Sequence, residues 1–250
     1  IIAVPLARHY EITREALLLG LNCLVEKPFC PTEAECAELI ALAVARGKLL
    51  MVAHCVRFDK AWARLRRHIA DKSLGTLKML STTRVGGEPN WGAWRDSGIR
   101  KSCGGSLFDM LIHDLDFINS FAPEPEDCRI GLRIGDFWEI HLRYREFRCS
   151  VKGGFLYCNT PFHAEYIAMF EQGSMCFSSK NSDVLFITTE QGCEKIPLTD
   201  NDPYETELSY FFSCVEQNRE PEQCPAISAQ KAIAMCTSIE AKSNGADHER

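Results

Sequence analysis

Two patterns of hydrophobic and polar positions divide the chain. Up to about residue 75, short apolar runs alternate with segments of helical spacing. Residues 1–5 read as a buried strand, 9–19 as a helix closed by Gly20, and 22–26 as a second strand closed by Lys27-Pro28. Cys36, Leu39, Ile40, Ala43 and Val44 recur at i, i+3, i+4, i+7 and i+8, which predicts an amphipathic helix. Thr32 and Glu35 supply its capping box and Gly47 its end. Residues 49–53 make a third apolar strand, and Trp62, Leu65 and Ile69 mark another helix that ends near Gly75. Near-continuous apolar strands separated by helices predict a parallel sheet covered on its faces.

Beyond residue 76 the pattern changes. Strand-like runs follow at 129–134, 137–144, 149–155, 164–170, 174–177 and 184–189, close enough in sequence to pair as antiparallel neighbours. Gly153-Gly154, Gly173 and Gly192 read as bends or turns between them. Helices are expected around 204–217 and 228–243. The expected fold class is therefore α/β plus α+β. A partial parallel-sheet domain over residues 1–75 precedes a domain over 76–250 with an open, mainly antiparallel sheet covered by helices. The last helices can pack back on the first domain.

Between the two patterns lies the most informative stretch, residues 102–118. Gly104-Gly105 gives a flexible entry, and Leu107, Leu111, Leu115 and Ile118 form an apolar stripe. Asp109, His113 and Asp116 lie on another stripe at i, i+4 and i+7. Residues four apart on a helix stand one above the other, so the Asp109 carboxylate and the His113 imidazole are expected to meet. A carboxylate raises the basicity of an imidazole and orients it, as general acid/base work requires. A helix cap with a solvated polar face accounts for the same letters. Lys27 ends an apolar strand, and ligands of open parallel sheets bind just beyond the carboxyl ends of the strands. An exposed surface charge is the plainer account of that lysine.

Composition narrows the field. Of the 250 residues, 46% are hydrophobic and 25% charged, an ordinary balance for a soluble globular protein of one or two domains. A net charge of -6 argues against a general nucleic-acid surface. No apolar run reaches the roughly 18 residues of a membrane helix, and no basic segment precedes the apolar start as in a signal peptide. The 13 cysteines contain no C-x-x-C pair, and Cys23, Cys55, Cys149, Cys176 and Cys236 fall singly in apolar runs. Buried free thiols in a reducing cytoplasm fit this better than disulfides or a zinc site.

Taken together, the motifs resemble those of the Gfo/Idh/MocA family of NAD(P)-dependent oxidoreductases over nearly the whole chain. The opening strand with Pro5 and His9 is similar to the family's strand–Pro–x–x–x–His turn. Glu26-Lys27-Pro28 resembles its E-K-P motif and Arg57-Phe58 its R-[FY] pair. Gly104-Gly105-x-x-x-Asp109-x-x-x-His113-x-x-Asp116 resembles its central signature, and 204–212 its late Tyr…Glu…Phe helix. The resemblance implies NAD or NADP as cofactor and hydride transfer to or from a hydroxyl-bearing carbon of a sugar, inositol or related polyol. It implies Pro5, His9, Glu26, Lys27 and Arg57 on the cofactor, and Lys27, Trp94, Asp109 and His113 on the substrate. Lys27 would hold the reacting hydroxyl and lower its pKa, His113 would exchange its proton, and Asp109 would orient His113 or bind a neighbouring hydroxyl. It also implies a homo-oligomer, dimer or tetramer, formed through the open sheet. No nucleic acid, membrane or metal partner is implied.

Two departures bear on these expectations. The family's G-x-G-x-x-G loop, and the residue about 20 positions later that selects NAD or NADP, should lie before residue 1. In the usual strand order the strands present would be the fourth, fifth and sixth, and the chain reads as cut into rather than begun. Either an extension precedes it, or the chain is a truncated, non-catalytic relative with a binding or regulatory role. Val4 and Val56 also stand where many relatives place polar residues. Trp91, Trp94 and Arg95 are candidates to line a sugar pocket or simply to pack. A hydrolytic metal held by Asp109, His113 and Asp116 lacks a second histidine or cysteine at ligand spacing.

Overall fold

The computed structural model describes residues 1–90, 103–157 and 159–246. In chain order its helices are α1 (His9–Leu18), α2 (Glu33–Arg46), α3 (Lys60–Asp71), α4 (Ile112–Asn119), α5 (Pro203–Gln217) and α6 (Ala226–Ala246). The strands are β1 (Cys23–Glu26), β2 (Leu50–Ala53), β3 (Leu77–Gly87), β4 (Asp127–Ile134), β5 (Phe137–Arg143), β6 (Arg148–Leu156), β7 (His163–Phe170), β8 (Ser174–Ser178), β9 (Val184–Thr189) and β10 (Gly192–Pro197). The chain forms two compact units that interleave along the sequence. Unit 1 holds Ile1–Phe58, Ser97–Ser120 and Asp202–Ser238; unit 2 holds Asp59–Asp96, Phe121–Asn201 and Ile239–Arg250. The sequence pattern changes character once, near residue 75, whereas the packing crosses between units several times. Periodicity reports local structure and not the unit an element joins.

In unit 1, β1 and β2 pair in parallel, with Val25 opposite Val52. The strand expected over residues 1–5 is reduced to a single parallel bridge between Ile2 and Val25. Ile2 N donates to Leu24 O at 2.8 Å and Glu26 N to Ile2 O at 2.9 Å. Pro5, which has no N–H to continue a ladder, then starts the 3-10 turn Leu6–Arg8. The expected capping box at α2 is formed, with Glu35 N donating to Thr32 Oγ1 at 3.2 Å and Thr32 N to Glu35 Oε2 at 3.1 Å. Gly47 closes the helix in the left-handed region at φ +60°. Thr32→Ala is expected to lower the unfolding free energy by about 1 kcal/mol, measured by urea denaturation followed by far-ultraviolet circular dichroism. Leu24, Met51 and Phe58 pack with Phe211 and Cys214 of α5 and with Cys224 into one buried cluster.

Unit 2 is built on an eight-stranded sheet in the order β10-β9-β8-β7-β3-β6-β5-β4. Neighbours run antiparallel except β3 and β6, which are parallel. β3 and β10 go unpredicted in the sequence for a physical reason. The buried positions of β3 include Thr82 and Arg84, so polar letters mask its alternation. β10 is exposed along nearly its whole length and has no apolar face to read. Gly153 and Gly154 also differ from expectation, since they lie inside β6 and make no turn. At φ +151° and +142° they let two backbones approach, and a Cβ on Gly153 would lie 1.8 Å from Arg84 O. α3 covers one face, where Trp62 meets Tyr166 edge-on at 5.0 Å. Tyr166 OH donates to Ala61 O at 2.9 Å. On β7 the residues that alternate to the other face, Ile167 and Met169, are 45% and 50% exposed.

Candidate active site

The site lies in unit 1, at the carboxyl ends of β1 and β2. The chain leaves β1 at Glu26, and Lys27 follows, joined to Pro28 by a cis peptide bond. Lys27 Nζ donates to both the main-chain oxygen and Oδ1 of Asp109, each at 2.6 Å. Both side chains are only partly exposed, at 17% and 21%. Glu26 turns back and accepts from Lys27 N at 3.2 Å.

Asp109 is delivered by a turn the sequence pattern does not reveal. Gly104 and Gly105 adopt φ +78° and +64°, and residues 107–111 form a π-helical turn before α4 begins. A Cβ on Gly104 would lie 2.5 Å from the Phe108 ring, so the chain folds back on that ring only with glycine there. In a π turn the hydrogen bonds run i to i+5, so Asp109 and His113 stand on a locally widened helix rather than a regular one. The Asp109 carboxylate is engaged by Lys27 through Oδ1.

His113, half-buried on α4, stands edge-to-face with His54 at a centroid distance of 6.2 Å and an interplanar angle of 88°. His54 follows β2 and is fully buried. Its Nδ1 lies 3.6 Å from Asp116 Oδ2. Burial pushes its pKa down to about 4; Asp116 opposes this, while Arg57 and Lys27 reinforce it. The two oxygens of Asp116 are held by Arg57, from Nε at 2.6 Å and from Nη2 at 2.7 Å. Arg57 Nη1 also donates to Gln223 O at 3.2 Å.

Two residues expected on the cofactor are engaged within the protein. Arg57 and its partner carboxylate are buried and bonded to each other, so the guanidinium faces the protein interior. His9 is buried as well, with Nδ1 2.8 Å from Pro28 O and Nε2 2.8 Å from Val4 O. It ties the first strand's end to the Lys27-Pro28 turn. Pro5 is exposed at the start of the 3-10 turn. Lys27, Glu26 and Asp109 are brought together, and His113 sits beside His54 within the same unit. Trp94, with Trp91 and Arg95, lies outside the described residues.

Two further residues belong to the site, His54 and Glu207, the second within the stretch 204–212 but given no role by the sequence. His54 occupies the position after β2 that Lys27 occupies after β1, and strand-end placement is the signal that finds it. Glu207 shares the buried face of α5 with Phe211 and Cys214, so a carboxylate at an apolar-stripe position was its signal. Burial first, then Glu26 and Asp116, push its pKa up to about 8. Its Oε2 has no hydrogen-bond partner among the described residues. At the start of the same helix, the Cys55 thiol, followed by burial, pushes the Tyr204 phenol up to about 12. Among the described residues no group of three metal-ligating side chains converges, and no helix is long and apolar enough to cross a membrane.

Comparison with known proteins gives a match over part of the chain. Residues 1–54 match the family model GFO_IDH_MocA, described as an oxidoreductase family with an NAD-binding Rossmann fold. The chain is 34% identical over 159 residues to trans-1,2-dihydrobenzene-1,2-diol dehydrogenase of Sus scrofa, covering 58% of this chain and 46% of that protein. It is 28% identical over 155 residues to the uncharacterized oxidoreductase YhhX of Escherichia coli, covering 58% and 43%. The chain thus spans about half the length of these relatives. In structure it is similar to UDP-N-acetylglucosamine 3-dehydrogenase from Acidithiobacillus ferrooxidans, with a TM-score of 0.82 at 20% identity over 96% of this chain and 76% of that one.

Proposed function

We propose that the chain, whose residues 1–54 match the Gfo/Idh/MocA oxidoreductase family model, forms the catalytic part of an NAD(P)-dependent dehydrogenase acting on a CH–OH group of a sugar, inositol or related polyol. One observation carries the reading: an ammonium at the carboxyl end of a parallel strand, doubly bonded to Asp109, with His113 on the following helix. The names of relatives that act on a diol and on a nucleotide sugar support the substrate class.

The donor chemistry present suits the nicotinamide end of a dinucleotide. Pro5, Glu26 and Lys27 line the strand ends and stay partly accessible, and Lys27 can donate to a ribose or substrate hydroxyl. NAD or NADP, when bound, supplies the nicotinamide carbon that takes or gives the hydride. Lys27 then holds the substrate hydroxyl and stabilises its developing negative charge. Asp109 fixes the ammonium from two atoms. His113 exchanges the hydroxyl proton. Residues 1–75 would be the C-terminal portion of the dinucleotide-binding domain and 76–250 the substrate and oligomerisation domain. The exposed Ile167 and Met169 favour pairing of two copies through the open sheet face. Free cysteines that are mostly buried favour a cytoplasmic setting.

Calorimetric titration with NAD(H) and NADP(H), on this chain and on a longer one carrying a phosphate-binding loop, tests the proposal. Binding by at least one of the two chains is expected. In the binding form, Lys27→Ala and His113→Ala are each expected to cut polyol-dependent turnover by about a hundredfold or more. Binding by neither chain would shift the reading to a non-catalytic relative with a regulatory role.

A further inference from the structure

His54 is a fully buried imidazole at the site, and its surroundings favour its neutral form. It lies at the end of β2, edge-to-face with His113 at 6.2 Å. Asp116, the carboxylate that could draw a proton onto it, sits 3.6 Å from its Nδ1. Both oxygens of that carboxylate are already taken by Arg57. The positive charges of Arg57 and Lys27 also act on the ring from two other segments. From the α5–α6 connection, Cys224 Sγ donates to Val52 O at 3.2 Å, so a thiol packs there and adds no charge.

We propose that His54 is a positioning residue for His113: a neutral ring against which the His113 imidazole is set, so that His113 gains and loses its proton without a second charge beside it. The inference rests on the reading of His113 as the proton-exchanging group. The magnitude favours the arrangement. Two positive charges about 6 Å apart near a protein surface would depress each other's proton affinity by roughly two pH units. A neutral ring at the same place removes that repulsion, and its π face favours a neighbouring imidazolium instead.

Three variants separate this role from packing alone. His54→Phe keeps a flat neutral ring, His54→Gln keeps polarity without a ring, and His54→Leu keeps volume without either. The readout is the titration of His113 by its ring 13Cε1–1H signal, assigned with His113→Gln and needing neither cofactor nor turnover. His54→Phe is expected to leave the His113 titration within about 0.3 pH unit of the parent. His54→Gln and His54→Leu are expected to lower it by about half to one pH unit and broaden the signal as the ring loses its fixed orientation. Where turnover is measurable, kcat should fall about tenfold in the ringless variants with KM held, and recover in His54→Phe. An unchanged His113 titration in a folded ringless variant would overturn the proposal. Full turnover in His113→Ala would overturn the dehydrogenase reading of His113 and leave the titration result standing, so the two failures are distinguishable.

Discussion

Replacing Asp116 by alanine is expected to lower the unfolding free energy of unit 1 by about 3–5 kcal/mol. The carboxylate is buried, and so is the guanidinium it holds through two short bonds. Its removal leaves Arg57 charged in the interior, with only main-chain oxygens, Gln223 O at 3.2 Å and that of residue 116 at 3.4 Å, as acceptors seen for it. That uncompensated charge, more than any lost attraction, sets the size of the effect. The argument has a sharp corollary. Converting both partners together, as in Arg57→Met with Asp116→Leu, removes the buried charge along with its partner and should recover most of the loss. Urea denaturation of the parent, the single and the double variants measures both. A single variant within about 1 kcal/mol of the parent would mean that water or another group reaches Arg57, and that the guanidinium is open to a ligand after all.

That pair also shows where the sequence could and could not be read. Thr32 and Glu35 are three residues apart, and their reciprocal bonding follows from the letters alone. The same holds for β1 and β2, whose apolar runs have no polar face to confuse them, and for Lys27 at a strand end. Arg57 and Asp116 are 59 positions apart. No periodicity connects them, so neither the burial of that arginine nor its partner can be read from the letters. The bond from Lys27 to Asp109 is hidden for a different reason. The letters around Asp109 are regularly helical, but the first turn has π geometry after two left-handed glycines, and Lys27 lies 82 positions away. β3 is hidden because its inner positions hold Thr82 and Arg84 as well as apolar residues. In each case the missing information is tertiary: which polar group is allowed inside because a distant partner meets it.

Glu207 offers the second large effect, and its sign can be fixed by pH. The folded-state pKa of its carboxyl is raised from the ordinary 4.5 to about 8 by burial, with Glu26 and Asp116 adding to the rise. Below pH 4.5 folded and unfolded chains both carry the proton, and the stabilising contribution is fully present. As pH rises toward 8, the unfolded chain releases a proton that the folded chain must keep, so stability is lost. At pH 7 the loss amounts to about 3 kcal/mol at roughly 1.4 kcal/mol per pH unit. His54 works in the opposite direction. Its pKa is lowered to about 4, so stability falls as pH drops from 6.5 toward that value. Above about pH 7.5 the unfolded histidines have lost their protons too, and from pH 6.5 to 8 Glu207 gives the largest slope. There the ionisation of Glu207 should cost the parent about 2 kcal/mol, a loss absent from Glu207→Gln, which cannot ionise and matches the protonated shape. The variant should be the more stable protein at pH 8 and converge on the parent near pH 4.5. Equal slopes for the two across that window would mean that Glu207 is ionised in the folded chain, and that a cation or donor stabilises it there. The location gives the proton a consequence for the site. Glu207 acts on Glu26, whose carboxylate caps Lys27 N. Keeping Glu207 neutral at neutral pH keeps a further buried carboxylate from ionising near Glu26 and Asp116.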